Sequence, residues 1–162
     1  MTQSTETPTR THPKTRQRLA ELGLEIPAVP GAVASYVPAV RTGNTVYTSG
    51  QLPLREGSLA VTGKVGAQVP ADEAAELAVT CVLNALAAAG TQGDLDNARI
   101  LKVVGFVASA PGFNGQPAVI NGASNLLLQV FGDSGKHARS AVGVAELPLD
   151  APVEVELIVE FS

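Results

Sequence analysis

Val153, Val155, Leu157, Val159 and Phe161 alternate with Glu154, Glu156, Ile158 and Glu160 at the C-terminus. That period-2 pattern predicts a strand with one face buried and the other turned outward. Its apolar face is mostly β-branched or aromatic, which suits a pleated surface. Just upstream, ARSAVGVAEL predicts a second strand, and the proline-punctuated segment at 147–152 is the loop between them. Further back, Ile120, Ala123, Leu127 and Val130 recur at helical spacing and predict a helix over 117–131, with Pro117 tolerated in its first turn. ILKVVGFVA at 100–108 is a nearly continuous apolar run, as expected of a strand covered on both faces. Leu77, Cys81, Ala85 and Ala88 mark a second helix over 72–89, capped by Asp72 and stopped at Gly90. Its many alanines predict close packing on a sheet.

The N-terminal half reads as strands. SYVPAVRTGNTVYTSGQLPL holds two apolar runs around Gly43-Asn44, a good hairpin turn. Val46 and Thr48 share one face of that hairpin; Thr45, Tyr47 and Ser49 share the other. A third strand is predicted around 58–62. Ahead of these lie a short helix over 15–22, ended by Gly23, and a polar, Thr/Pro-rich tail over 1–14 that is read as disordered, with His12 solvated in it. The expected order is βββαβαββ, a single α+β domain over 15–162 with two helices on one face of a mixed sheet.

Composition narrows the partners. The chain carries a formal net charge of −4, which argues against nucleic-acid binding through a basic face. No apolar run looks like a membrane span and the N-terminus lacks a signal-peptide core, so the expected location is cytoplasmic. Charged residues are only 16% of the chain, leaving apolar surface for subunit contacts. Cys81 is the single cysteine and sits in the alanine-rich helix, where a buried, inert thiol is expected.

Arg139 is the misfit, because a guanidinium keeps its charge and at a core strand needs an anion to pair with. That anion is either a protein carboxylate or a ligand's. Glu154, on the outward face of the last strand, is by itself a solvated charge, as are Glu156 and Glu160. Ser49 has no histidine beside it in sequence and so is a hydrogen-bonding group or a turn residue, not a triad nucleophile. The TSG and FNG glycines belong to turns, since nothing matches a GxxxxGK phosphate loop.

Taken together, SYVPAV at 35–40, TSGQLPL at 48–54, PADEAAELAVTCVLNALAAAG at 70–90, NGASNLLLQVFG at 121–132 and ARSAVGVAELPLDAPVEVE at 138–156 resemble the YjgF/RidA family of enamine/imine deaminases. The last piece is the most specific, with Arg139, Leu147-Pro148, Asp150, Glu154 and Glu156 in the family's order and spacing. The resemblance implies a chorismate-mutase-like α+β fold and a homotrimer with sites in the inter-subunit clefts. It also implies hydrolysis of 2-aminoacrylate-type enamines and imines to 2-oxoacids and ammonia, without metal or organic cofactor. Carried over, Arg139 is the carboxylate-binding arginine and Glu154 the acidic residue near the reacting carbon. Tyr36, Ser49 and Asn121 are pocket residues, with Gly50 beside Ser49 and Ala141 beside the arginine. Tyr36 and Phe113 are candidates to wall the pocket. The chain departs from the pattern at Ala141, where many members carry cysteine, at Ser124, where the commoner form is aromatic, and in the extension ahead of residue 31.

Three functions follow: an imine hydrolase, a non-enzymatic binder of small carboxylates, and a ribonuclease. A hairpin of the last two strands centred on Leu149-Asp150 would set Arg139 opposite Glu160, about six residues from Glu154, or roughly 20 Å. In the family's fold another strand separates them. Either way each site is expected to take Arg139 from one subunit and Ser49 with Glu154 from its neighbour.

Overall fold

In the computed structural model, which describes residues 11–29 and 35–162, the alternating C-terminal stretch is the middle strand of a five-stranded sheet. This strand is β5 (Val153–Phe161), and its odd-numbered residues are all buried while the even-numbered ones are half-buried. On one side β5 pairs antiparallel with β2 (Thr45–Thr48), which pairs with β1 (Ala39–Thr42) across the Gly43-Asn44 turn. On the other side it pairs antiparallel with β3 (Ala98–Ala108), whose outer neighbour β4 (Ala138–Val144) runs parallel to it. The order β1-β2-β5-β3-β4 makes the sheet mixed.

Two long helices cover one face. They are α2 (Ala71–Gly90) and α3 (Gln116–Phe131), the latter being the crossover that lets β3 and β4 run parallel. Val46, Val103, Val155, Leu157 and Val159 point into this layer and are essentially inaccessible. Burying each such side chain contributes about 1.5–3 kcal/mol. Small residues set the spacing: an added Cβ on Gly122 would run into the Ala75 backbone of α2, and one on Gly105 would collide with Ile120. By length and composition α2 could cross a membrane, against the expectation from sequence, yet 67% of the qualifying stretch is buried within the fold. It is a core helix.

Three expectations are corrected. No strand forms over 58–62. Arg55 and Ser58 instead exchange backbone hydrogen bonds of 3.0 and 3.1 Å across a tight turn at Glu56-Gly57, whose φ values are both positive. Asp72 does not cap α2, because Pro70 holds the N-cap position and the Asp72 carboxylate accepts only the adjacent Glu73 N–H. Of the two arrangements open to the last strands, the one with β3 between them forms, as the family resemblance implied. The third correction is that His12 is not solvated.

The reason for the last point is an N-terminal anchor. Residues 1–10 of the expected tail lie outside the described residues, but helix α1 begins at Pro13 and runs to Glu21. His12 is buried, with Nδ1 accepting the Leu95 N–H at 3.0 Å and lying 3.0 Å from Asp94 Oδ1. Asp96 caps α1 from a remote part of the chain, accepting from the N–H groups of Lys14 (3.0 Å) and Thr15 (2.8 Å) and from the Thr15 hydroxyl (2.9 Å). Arg18 then donates to the Val130 carbonyl of α3.

Candidate functional site

Register decides which candidate residues can meet. Arg139 on β4 is paired with Val103 of β3, and Val103 with Leu157 of β5, so Arg139 projects on the helix side of the sheet. Glu154 is paired with Phe106, and Phe106 with Val142, so it projects on the other side. The two are three residues apart along the strands and two strands apart across them, about 10 Å each way. Within one chain the sheet itself stands between them.

Each side gathers its own group. On the helix side Arg139 Nη1 donates to Asn121 Oδ1 at 2.8 Å and to Ser124 Oγ at 3.3 Å, both on α3. Ala141, one step further along the same face of β4, packs at the margin of the core. On the open side Ser49 ends the hairpin: its N–H donates to the Pro38 carbonyl at 2.8 Å and its hydroxyl to the Val37 carbonyl at 2.7 Å, next to the exposed Tyr36. Gln51 then bridges to Val155 of β5, which sets Gly50 against Glu154. A Cβ on Gly50 would overlap the Glu154 carboxylate. Asn84 of α2 secures this loop by donating to the carbonyls of Leu52 and Leu54, both at 3.0 Å. Phe113 belongs to neither group; its ring packs over Gly66 and Gly115, at the end of β4 away from Arg139.

The carboxyl of Glu154 has no hydrogen-bond partner among the described residues and is half-buried. Burial, reinforced by the charge of Glu156, raises its pKa above the ordinary carboxylate value. Cys81 is buried, as expected from its place in α2, and burial pushes its thiol well up, away from the thiolate form.

Two residues of the arginine corner were not among the candidates. Ser124 is buried beneath Arg139, and its Oγ lies 2.9 Å from His137 Nε2. Both carried a legible signal: Ser124 is three residues after Asn121 on one helix face, and His137 stands just ahead of β4, two residues before Arg139.

The geometry defines a small α+β protein that offers an anchored cation on one face and an unpaired carboxylate on the other. Residues 27–161 match the family model described as Endoribonuclease L-PSP. The chain belongs to that family, the YjgF/RidA family. It is similar to Protein TCP17 of Trypanosoma cruzi, with 42% identity over 147 residues covering 89% of this chain and 92% of that one. A 2-iminobutanoate/2-iminopropanoate deaminase of Dermatophagoides farinae is 35% identical over 137 residues, covering 84% and 93%. Among solved structures, protein Atu1372 of Agrobacterium tumefaciens superposes with a TM-score of 0.87 at 46% identity, covering 93% of this chain and 94% of that one.

Proposed function

We propose that this protein is a cofactor-independent deaminase of small, reactive 2-imino acids and their enamine tautomers, working as a homotrimer with sites between subunits. The observation that carries the reading is the separation of Arg139 and Glu154 onto opposite faces of one sheet. A small substrate cannot touch both in one chain, so a second copy completes the site. The open face has the surface for that contact, since Val40, Tyr47 and Val142 are exposed and Val104, Phe106 and Ile158 half-buried. The deaminase relative supports the chemistry.

In this reading Arg139 orients the substrate carboxylate by parallel charge-assisted hydrogen bonds. A protonated imine is already electrophilic, so the remaining need is a placed water. Glu154, ionised and not engaged by other donors, accepts a proton from that water as its oxygen bonds to the imine carbon. Glu154 then returns that proton to the nitrogen of the tetrahedral adduct. The C–N bond breaks as the carboxylate takes the adduct's hydroxyl proton, so ammonia and a 2-oxoacid leave. The proton that the imine brought passes from Glu154 to solvent or ammonia. The raised pKa makes Glu154 a stronger base than a solvated glutamate.

Two measurements test this together. Release of 2-oxoacid from imines generated in situ from several amino acids tests the reaction. Subunit complementation tests the geometry: Arg139→Ala and Glu154→Ala chains, each inactive, are mixed, dissociated and reassembled. Activity partly returns because some clefts then hold both wild-type residues. Efficient mixing without any activity, or a stable monomer by light scattering at micromolar concentration, would overturn the inter-subunit site.

A further inference from the structure

The arginine corner contains a chain of hydrogen bonds longer than anchoring alone requires. His137 Nδ1 lies 2.6 Å from the Gly135 carbonyl, and a carbonyl oxygen only accepts. The proton of the neutral imidazole is therefore on Nδ1, which leaves Nε2 as an acceptor. Ser124 Oγ, 2.9 Å from Nε2, is then the donor of that bond. With its hydrogen committed to His137, the serine oxygen turns lone pairs toward Arg139 Nη1, 3.3 Å away. The direction of every bond follows from the first.

The backbone holds the chain in place. Gly135 is buried against the end of α3, where an added Cβ would run into the Leu127 carbonyl, so the carbonyl that sets the tautomer is fixed by close packing. His137 is half-buried and Ser124 is buried.

The consequence lies on the guanidinium. Nη1 has two hydrogens, and Asn121 Oδ1 and Ser124 Oγ take one each. Nε and Nη2 have no partner among the described residues. The end-on fork formed by Nη1 and Nη2 is thus half occupied, whereas the side-on fork formed by Nε and Nη2 is open. A carboxylate pairs bidentately with either fork when it is free.

We propose that Ser124 and His137 are positioning residues that lock Arg139 so that its Nε–Nη2 edge receives the substrate carboxylate. The site assignment rests on the functional reading above; the lock itself does not. Ser124 is buried and its oxygen already serves Arg139, so it positions the arginine and is not a nucleophile. The pair replaces the packing an aromatic residue at position 124 would supply with a directional bond.

Nitrogen NMR of the intact protein tests the lock without any turnover. The His137 signals should show a protonated Nδ1 and an unprotonated Nε2, and the Arg139 guanidinium should rotate slowly about Cζ–Nε. Ser124→Ala and His137→Asn remove different atoms of the chain, and both should speed that rotation. His137→Gln, which keeps an acceptor near the Nε2 position, should restore slow rotation. Pyruvate serves as the carboxylate probe and pyruvamide as its neutral control. Pyruvate binding should weaken roughly tenfold in the first two variants, about the effect of one hydrogen bond to a charged group, with pyruvamide unaffected. In turnover the same variants should raise KM with little change in kcat. A proton on Nε2, or a guanidinium equally locked in all variants, overturns the proposal. A locked wild-type arginine that does not bind pyruvate overturns the assignment of its open edge. A locked arginine that binds pyruvate in a protein releasing no 2-oxoacid from imines supports the lock and sinks the deaminase reading alone.

Discussion

The Arg139 corner and the Glu154 corner lie in one sheet, two strands apart, and are built in opposite ways. Arg139 is braced on one nitrogen by Asn121 and Ser124, with His137 behind the serine. Glu154 is braced by nothing polar; its carboxylate lies over the bare backbone of Gly50. A group that only orients a charge gains from being held, because its rotational freedom is spent before the ligand arrives. A group that must take and return a proton gains from the reverse. Hydrogen bonds to its charged form would lower its basicity, whereas desolvation raises it. In the proposed reaction, the same sheet prepares one charge for geometry and the other for reactivity.

The strongest way to break that contrast is to remove each charge. Arg139→Ala should cost on the order of 10²–10⁴ in kcat/KM, the worth of two charge-assisted hydrogen bonds, and leave the thermal midpoint nearly unchanged. Glu154→Gln should cost a similar factor but act differently with pH. The base works only when ionised, so wild-type kcat/KM should fall as pH drops through the raised pKa, and the variant should lose that limb. Stability should move the other way. A carboxyl whose folded pKa is raised contributes stability when protonated, present below its unfolded pKa and lost as pH rises through the folded value. Glu154→Gln should therefore melt slightly higher than wild type near neutral pH. A large loss of stability in either variant would make that residue structural.

A smaller effect probes the Gly50 side. Gly50→Ala places a methyl where the Glu154 carboxylate lies. The carboxylate is the free end of a side chain and can swing away, so the fold should survive while kcat falls about 10–100-fold through misplacement of the base. Pyruvate affinity should stay within about twofold of wild type, because Arg139 is held by Asn121 and Ser124, and the added methyl meets only the Glu154 side chain. Equal losses in kcat and pyruvate affinity would mean that the two corners are not separately built.

The smallest effect is far from both. Asp96 is held below the ordinary carboxylate value: burial works to raise it, but the N–H groups of Thr15 and Lys14 and the Thr15 hydroxyl outweigh that. Its stabilisation is present above the unfolded pKa and is lost as pH falls through the folded one. Asp96→Ala should destabilise by about 1 kcal/mol, as expected for a lost helix cap, or about 3 °C in midpoint. Activity at saturating substrate should not change, and the stability difference from wild type should shrink in acid. An activity loss larger than the stability loss would tie α1 to the site.

What the chain determined by itself is local. The alternation in β5, the helical spacing in α2 and α3, and the Gly43-Asn44 turn are periodicities of two and 3.6 residues, written within one element. Arg139, Glu154, Asn121 and Ser49 stand as candidates for a different reason: their types and spacing match a family motif. Other features depended on which elements meet. Nothing in residues 58–62 distinguishes a strand from an irregular segment until a partner strand is or is not beside it. His12 reads as solvated because its partners, Asp94 and Leu95, are more than eighty residues away. The order of the last strands, and with it the face on which each charge projects, was decided when β3 came between β4 and β5. Strand pairing is a long-range choice settled by how the whole apolar face is covered, and a one-residue change of register reverses every side chain. That is why the sequence could name the arginine and the glutamate, while only the tertiary structure put a sheet between them.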